Sequence, residues 1–140
     1  MMGDRIKMYW DLHHHVWSLV ALRGPRKRLV VAKADNVTLA GVTFKVSTPG
    51  RTRAHQLGHR TVHAWVLGTV VSIDREQLDL TGMTKITYNW HPDRASTFET
   101  PDGTPVLWEA RVLFARDPGK KEHGYGWVDG REVGAEVARP

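Results

Sequence analysis

Residues 59–74 read HRTVHAWVLGTVVSID, and this stretch is the most apolar part of the chain. In a strand, Val62, Val66 and Val70 would point to one face of a sheet. Trp65 and Val71, together with the other odd-numbered apolar residues, would point to the opposite face. Apolar residues on both faces are typical of a strand that is covered on each side. The stretch therefore predicts a central strand in a sheet.

Most of the remaining chain also predicts strands. Ile6, Met8 and Trp10 alternate with polar residues, which is typical of a strand with one buried face. The other predicted strands are residues 16–22, 29–34, 37–39, 42–47, 85–90, 98–100 and 106–115. The Asp102-Gly103 pair predicts a hairpin between the last two. A short helix is expected from Thr48 to Gly58, because a Ser or Thr cap precedes Pro49.

These elements predict one domain over residues 1–140 with a mainly β (α+β) fold. We expect an antiparallel sheet with one or two short helices and a core formed by about residues 5–115. Residues 75–83 are interpreted as a helical turn or loop. Gly124 and Gly126 are interpreted as turn residues in a weakly structured tail, about residues 117–140.

The composition excludes several classes of protein. The chain has no cysteine, which excludes disulfides and thiolate metal sites. No apolar run approaches the ~20 residues of a membrane span, and the N-terminal residues lack a signal-peptide pattern. We therefore expect a soluble, intracellular protein without membrane association. The net charge of +5 favours anionic partners such as nucleotides or nucleic acids.

Eight histidines raise the hypothesis of a metal-dependent hydrolase. His55 and His59 have the i, i+4 spacing of zinc ligands on a helix, and His13 and His15 would share a face of a strand. However, Gln56 follows His55, so the glutamate of the His-Glu-x-x-His hydrolases is absent. The sequence also lacks a nucleophile elbow and a glycine-rich phosphate loop. We expect no metal and no cofactor. No motif marks an enzyme, and a paired-carboxylate site stays open as an alternative because carboxylates pair in space rather than in sequence.

Aromatic and basic residues recur close together in the sequence. A flat base needs a stacking surface, and a pyrophosphate is well matched by guanidinium groups. Arg111 lies in the middle of a predicted strand on the face opposite Trp108, so that face is either exposed or lines a polar pocket. Asn89 is either a ligand-binding residue or a turn residue before His91.

Several phrases together resemble the anti-Thoeris sponge family of phages, the first type of Thoeris anti-defence protein. They are Tyr9–His13, Val42–Ser47 with Gly50-Arg51, Arg60–Val66 with Gly68, and Ile86–Asn89 with Phe98. The likeness covers about residues 5–115.

This resemblance implies a phage protein that acts in the cytoplasm of the infected bacterium and binds a signal without cleaving it. Such proteins sequester cyclic ADP-ribose isomers, and some also bind cyclic oligonucleotides. The resemblance implies a homodimer that assembles further. It assigns phosphate, ribose or base contacts to Arg60, Asn89 and Arg111, and stacking on the adenine to Tyr88 or Trp90. The alternative function is a small basic nucleic-acid-binding protein that uses the cations of residues 23–28.

Overall fold

The structure, a computed structural model, describes residues 1–59, 61–117 and 120–129. Within these residues, nine strands form one sheet in the order β3-β2-β1-β5-β4-β8-β9-β6-β7, and neighbouring strands are antiparallel. The strands are β1 (Arg5–Asp11), β2 (Val16–Ala21), β3 (Val30–Ala34), β4 (Asn36–Val46), β5 (Ala64–Ile73), β6 (Met83–Tyr88), β7 (Phe98–Glu99), β8 (Trp108–Asp117) and β9 (Lys120–Asp129). The predicted mainly β, antiparallel, single-domain fold is confirmed.

The predicted central strand is β5, which lies between β1 and β4. Its inner-face residues Val66 and Val70 are buried, whereas Val71 on the outer face is 39% exposed. The prediction that both faces of this strand are covered is therefore wrong. The sheet buries one face of β5 against the core and leaves part of the other to solvent.

The sheet is strongly curled around its inner face. Trp17 on β2 and Phe114 on β8 are four places apart in the sheet order, which would separate them by about 19 Å in a flat sheet. Their ring centroids are only 5.0 Å apart. The curl brings distant strands together around one core that includes Met8, Leu19, Val37, Leu39, Val42, Ile86, Val112 and Val128.

A bulge in β4 contributes to this curvature. The sequence predicts two strands here, residues 37–39 and 42–47, but the structure has one strand whose register with β5 shifts between Ala40 and Thr43. Gly41 adopts a φ of 58°, a conformation that a residue with a side chain rarely adopts. The glycine therefore lets the strand bend without ending.

The predicted helix is α1 (Thr48–Leu57). The Ser47 side chain accepts a hydrogen bond from the Gly50 N–H at 3.1 Å, and Gly58 ends the helix in a left-handed conformation. Of the helix residues, only Ala54 is buried. The helix is held mainly by its two caps and by one contact face.

Two other predictions differ from the structure. The Asp102-Gly103 turn forms, with Thr100 N–H donating to the Thr104 carbonyl at 2.9 Å. The two sides of the turn pair through the single bridge between Glu99 and Pro105, because β8 pairs with β4 and β9 instead of β7. Residues 120–129 are not a weak tail but the strand β9, and Gly124 and Gly126 lie within it. The predicted turn role of these two glycines is wrong.

The segment between β5 and β6 covers part of the outer face. Leu78 and Leu80 pack with Tyr125, Trp127 and their neighbours in a second apolar cluster on β8 and β9. This segment is a loop, one of the two predicted forms. The segment does not cover the cavity at the other end of the curled sheet.

Candidate ligand-binding site

An open cavity of about 340 Å³ lies at one end of the curled sheet. Residues from β1, β2, β5, β6, β7 and β9 line it, together with the turn after β1 and the segments that precede β5 and β7. Aromatic side chains dominate its wall: Tyr9, Trp10, Trp17, Trp65, Tyr88 and Phe98, with the imidazoles of His63 and His123. Its volume falls within the range of small-molecule sites.

One wall of the cavity is a tryptophan pair. Trp10 and Trp17 are directly paired across β1 and β2, and their rings make an edge contact with centroids 5.1 Å apart. Both rings lie against the backbone of Gly124 on β9, where a Cβ atom would be 2.6 Å from Trp10 Cε3. Only glycine allows so close an approach, so residue 124 positions this wall.

Trp17 also carries an unusual polar group. The ring is buried, and its Nε1 has no hydrogen-bond partner among the described residues. A buried donor without a partner lowers stability by about 1–3 kcal/mol. An acceptor brought by a ligand is one way to satisfy such a group.

A second wall is the stacked pair of Tyr88 and His123. Their rings are 5.8 Å apart and nearly parallel, with an interplanar angle of 12°. Phe98 supports Tyr88 from the side, with its centroid 6.3 Å away. Burial raises the pKa of Tyr88, so its hydroxyl remains protonated at neutral pH and can donate a hydrogen bond.

A third wall is formed by His63 and Trp65, whose ring centroids are 5.4 Å apart. The Lys7 ammonium lies 4.6 Å from the centroid of the Trp65 ring, within cation–π range. None of the described residues that line this cavity is Asp, Glu, Lys or Arg. The cavity is therefore suited to a flat, uncharged ring system.

Of the residues predicted to bind ligand, Tyr88 lines this cavity. Asn89, the next residue in the chain, is exposed, and its side-chain amide donates a hydrogen bond to the Glu99 carboxylate. The same carboxylate forms an ion pair with Arg94 at 3.2 Å. Asn89 thus stabilises the loop between β6 and β7.

Trp90 does not provide the predicted stacking surface in this cavity. It is 5% exposed, and its Nε1 donates to the Arg94 carbonyl at 2.8 Å. Because β6 ends at Tyr88, the strand alternation stops there and the chain folds the Trp90 ring into the following loop.

Arg111 is exposed on the outer face of β8, opposite Ala40, and does not line the cavity. Glu109 lies on the same face and is buried, so Glu109 and Arg111 are not both exposed on the surface. Arg60 lies outside the described residues. The structure therefore brings only Tyr88, among the described members of the predicted set, into the aromatic cavity.

The helical histidine pair that the metal hypothesis considered does not form. Helix α1 ends at Leu57, so His59 lies beyond it and does not share a helix face with His55. His55 instead contacts the Asp93 carboxylate at 3.0 Å. Within residues 1–59, 61–117 and 120–129, no group of three or more His, Asp or Glu side chains could hold a metal ion.

Trp10, Trp17 and His123 line the cavity but were not predicted as site residues. The alternation in β1 places Trp10 on the inner face, which was an available signal. The contact of both tryptophans with Gly124 depends on the curl of the sheet. No local pattern carries that information.

Comparison with known proteins gives one family. The family described as the Mycobacterium phage L5 gene 82 protein matches residues 1–121. No curated protein and no solved structure matches the chain. No helix in the described part of the chain has the length and apolar character needed to cross a membrane. Because the match covers most of its length, the chain belongs to the Mycobacterium phage L5 gene 82 protein family and is a phage protein.

Proposed function

We propose that this phage protein binds a small nucleotide-type molecule by its flat ring in the aromatic cavity and releases it chemically unchanged. The observation that carries the proposal is the convergence of six aromatic side chains and two imidazoles on one open cavity. Proteins normally use such rings to fill the core, whereas here the rings, including the core residues Trp17 and Phe98, also border an open cavity. A purine ring has two flat faces and an edge of hydrogen-bonding atoms that match this environment.

The energetics favour stacking as the main source of affinity. Tyr88 offers a face supported by His123, and Trp65 offers a face backed by Lys7. One aromatic–base stack contributes about 1–3 kcal/mol. The Tyr88 hydroxyl, Thr61 and Thr97 add hydrogen-bonding groups to the same cavity.

The membership in a phage family and the resemblance to the anti-Thoeris sponges make the proposal more specific. The ligand is a cyclic nucleotide-type immune signal of the infected bacterium, such as a cyclic ADP-ribose isomer. The protein retains this signal in the host cytoplasm and self-associates as a dimer or larger assembly. Effective retention requires a nanomolar Kd, equivalent to about −12 kcal/mol.

Heat release tests this proposal. Purified protein is incubated with cyclic ADP-ribose isomers, separated from free ligand and denatured, and the released compound is identified by mass spectrometry. Intact ligand is expected. Failure to retain any isomer, or release of a cleaved product, would contradict the proposal.

Two variants of one residue provide a matched comparison. Tyr88→Ala removes the stacking face and should weaken retention by about 5- to 150-fold, the equivalent of one stack. Tyr88→Phe keeps the face and removes only the hydroxyl, so it should retain most of the affinity. Equal retention by Tyr88→Ala and the parent protein would exclude this wall as the binding surface.

A second candidate function is nucleic-acid binding by the loop between β2 and β3. Arg23, Arg26, Lys27 and Arg28 are all exposed in this loop, and no acidic residue occurs in residues 12–34. Binding of a polynucleotide should weaken steeply as salt increases, because each neutralised phosphate releases counterions. Binding of a single nucleotide in the cavity should depend much less on salt.

A further inference from the structure

A second cavity, of about 400 Å³, adjoins the aromatic cavity. Thr61, Val62 and His63 line both cavities and form the wall between them. The far side of the second cavity is formed by helix α1 and by Ser47.

The second cavity differs from the first in charge. Arg53, His59 and His63 line it, and none of the lining residues that the structure describes is acidic. Arg53 has no hydrogen-bond or ion-pair partner in the described part of the chain. Its guanidinium is therefore available to an anion.

The other basic side chains of α1 are engaged elsewhere. Arg51 donates from Nε to the Pro92 carbonyl at 3.1 Å, and His55 contacts Asp93. Residues 51 and 53 are about 200° apart around a helix axis, so the two arginines point in different directions. The helix thus directs one arginine to the loop after β6 and the other to the second cavity.

Gly50 allows the helix to lie close to Thr61, Val62 and His63, which form the shared wall. A Cβ atom at this position would lie 3.2 Å from Val62 Cγ2. The glycine therefore allows α1 to pack tightly on the segment that separates the cavities, which keeps Arg53 beside that segment.

We propose that the second cavity is an anion subsite that binds the phosphate groups of the nucleotide whose base occupies the aromatic cavity. The inference rests on the proposed function, since it assigns the charged part of the same ligand. Among the described residues that line it, the aromatic cavity offers no permanent cation, which favours binding of the phosphates outside it, and the adjoining cavity supplies an arginine and two imidazoles. A guanidinium can donate two parallel hydrogen bonds to a phosphate, and the histidines can donate further bonds.

The subsite is tested with adenosine and ADP as probes, by calorimetry on the full chain. We expect ADP to bind the parent protein at least tenfold more tightly than adenosine. Arg53→Gln should remove this difference and leave adenosine affinity unchanged. Arg26→Gln, which removes an exposed arginine from the β2–β3 loop, is the control and should keep the difference. Equal affinities for the two probes in the parent protein, or an unchanged difference in Arg53→Gln, would overturn the subsite.

Pyrophosphate alone separates this inference from the proposed function. In a titration followed by amide NMR, the resonances of Arg53, Thr61 and His63 should shift, and those of the β2–β3 loop should shift less. Absence of this pattern overturns the anion subsite, whatever adenosine does. If pyrophosphate produces the pattern but adenosine does not bind, the anion subsite stands and the aromatic cavity is not a base-binding site.

Discussion

Substitution of Gly124 by alanine tests the architecture of the aromatic cavity. The new Cβ atom would meet Trp17 Cζ2 most closely, and it would lie 2.6 Å from Trp10 Cε3 and 2.8 Å from Trp17 Cε2. To reach ordinary contact at about 3.4 Å, the Trp10 ring would have to retreat by roughly 0.8 Å. Trp17 cannot easily yield, because it is 2% exposed and packs on Phe114.

Overpacking of a rigid site destabilises a protein by about 1–3 kcal/mol. We expect Gly124→Ala to fall near 2 kcal/mol, in the middle of that range. For a chain of this length, the loss corresponds to a decrease of about 6 °C in Tm. Thermal unfolding followed by circular dichroism measures this change.

A double-mutant cycle isolates the steric cause. Trp10→Phe removes the part of the indole ring that contains Cε3, so Gly124→Ala should cost less in this background than in the parent protein. A decrease of less than 2 °C for Gly124→Ala would refute the close-packing argument, and an equal decrease in both backgrounds would assign the steric conflict to Trp17 alone.

Three further predictions concern single groups. Because Arg111 is exposed on the outer face, Arg111→Ala should leave ligand retention unchanged in the heat-release assay; a loss would support the sequence-based assignment of this residue. Trp65→Ala should weaken retention by about 5- to 150-fold, the equivalent of one aromatic–base stack. Lys7→Gln should weaken retention less, because it removes only the cation behind the Trp65 ring, and equal effects of the two variants in equilibrium binding would contradict this ranking. The His14 side chain and the N–H groups of His14 and His13 hydrogen-bond to the Asp11 carboxylate and lower its pKa from 3.8 to about 2. The contribution of this carboxylate to stability is therefore present above pH 4 and is lost as the pH falls towards 2. Acid unfolding should show this loss in the parent protein and not in Asp11→Asn, and superimposable acid transitions would argue against it.

Much of the fold follows from local patterns in the sequence. The alternation of β1, the apolar run of β5 and the Ser47–Pro49 helix start each depend on neighbouring residues, and each is found in the structure. Most of the strand β9 was not predicted. Its glycines resemble turn residues, yet they serve close contacts with rings from other strands.

The candidate site was less predictable because it depends on the curvature of the sheet. Tyr88 was predicted near the end of a strand, and the structure places its side chain at the cavity. Trp90, two residues later, would share its face only if the strand continued. The meeting of Trp10 with Gly124 joins positions more than 100 residues apart, and sequence periodicity does not encode that distance.

The six indole N–H resonances of the chain offer the most direct test of the central claim, that the ligand binds in the aromatic cavity. Trp10, Trp17 and Trp65 line the cavity, whereas Trp90, Trp108 and Trp127 do not. During titration with a cyclic ADP-ribose isomer, we expect the first three resonances to shift and the other three to remain in place. A saturating titration that leaves the first three unchanged, or that shifts only the other three, would contradict the account.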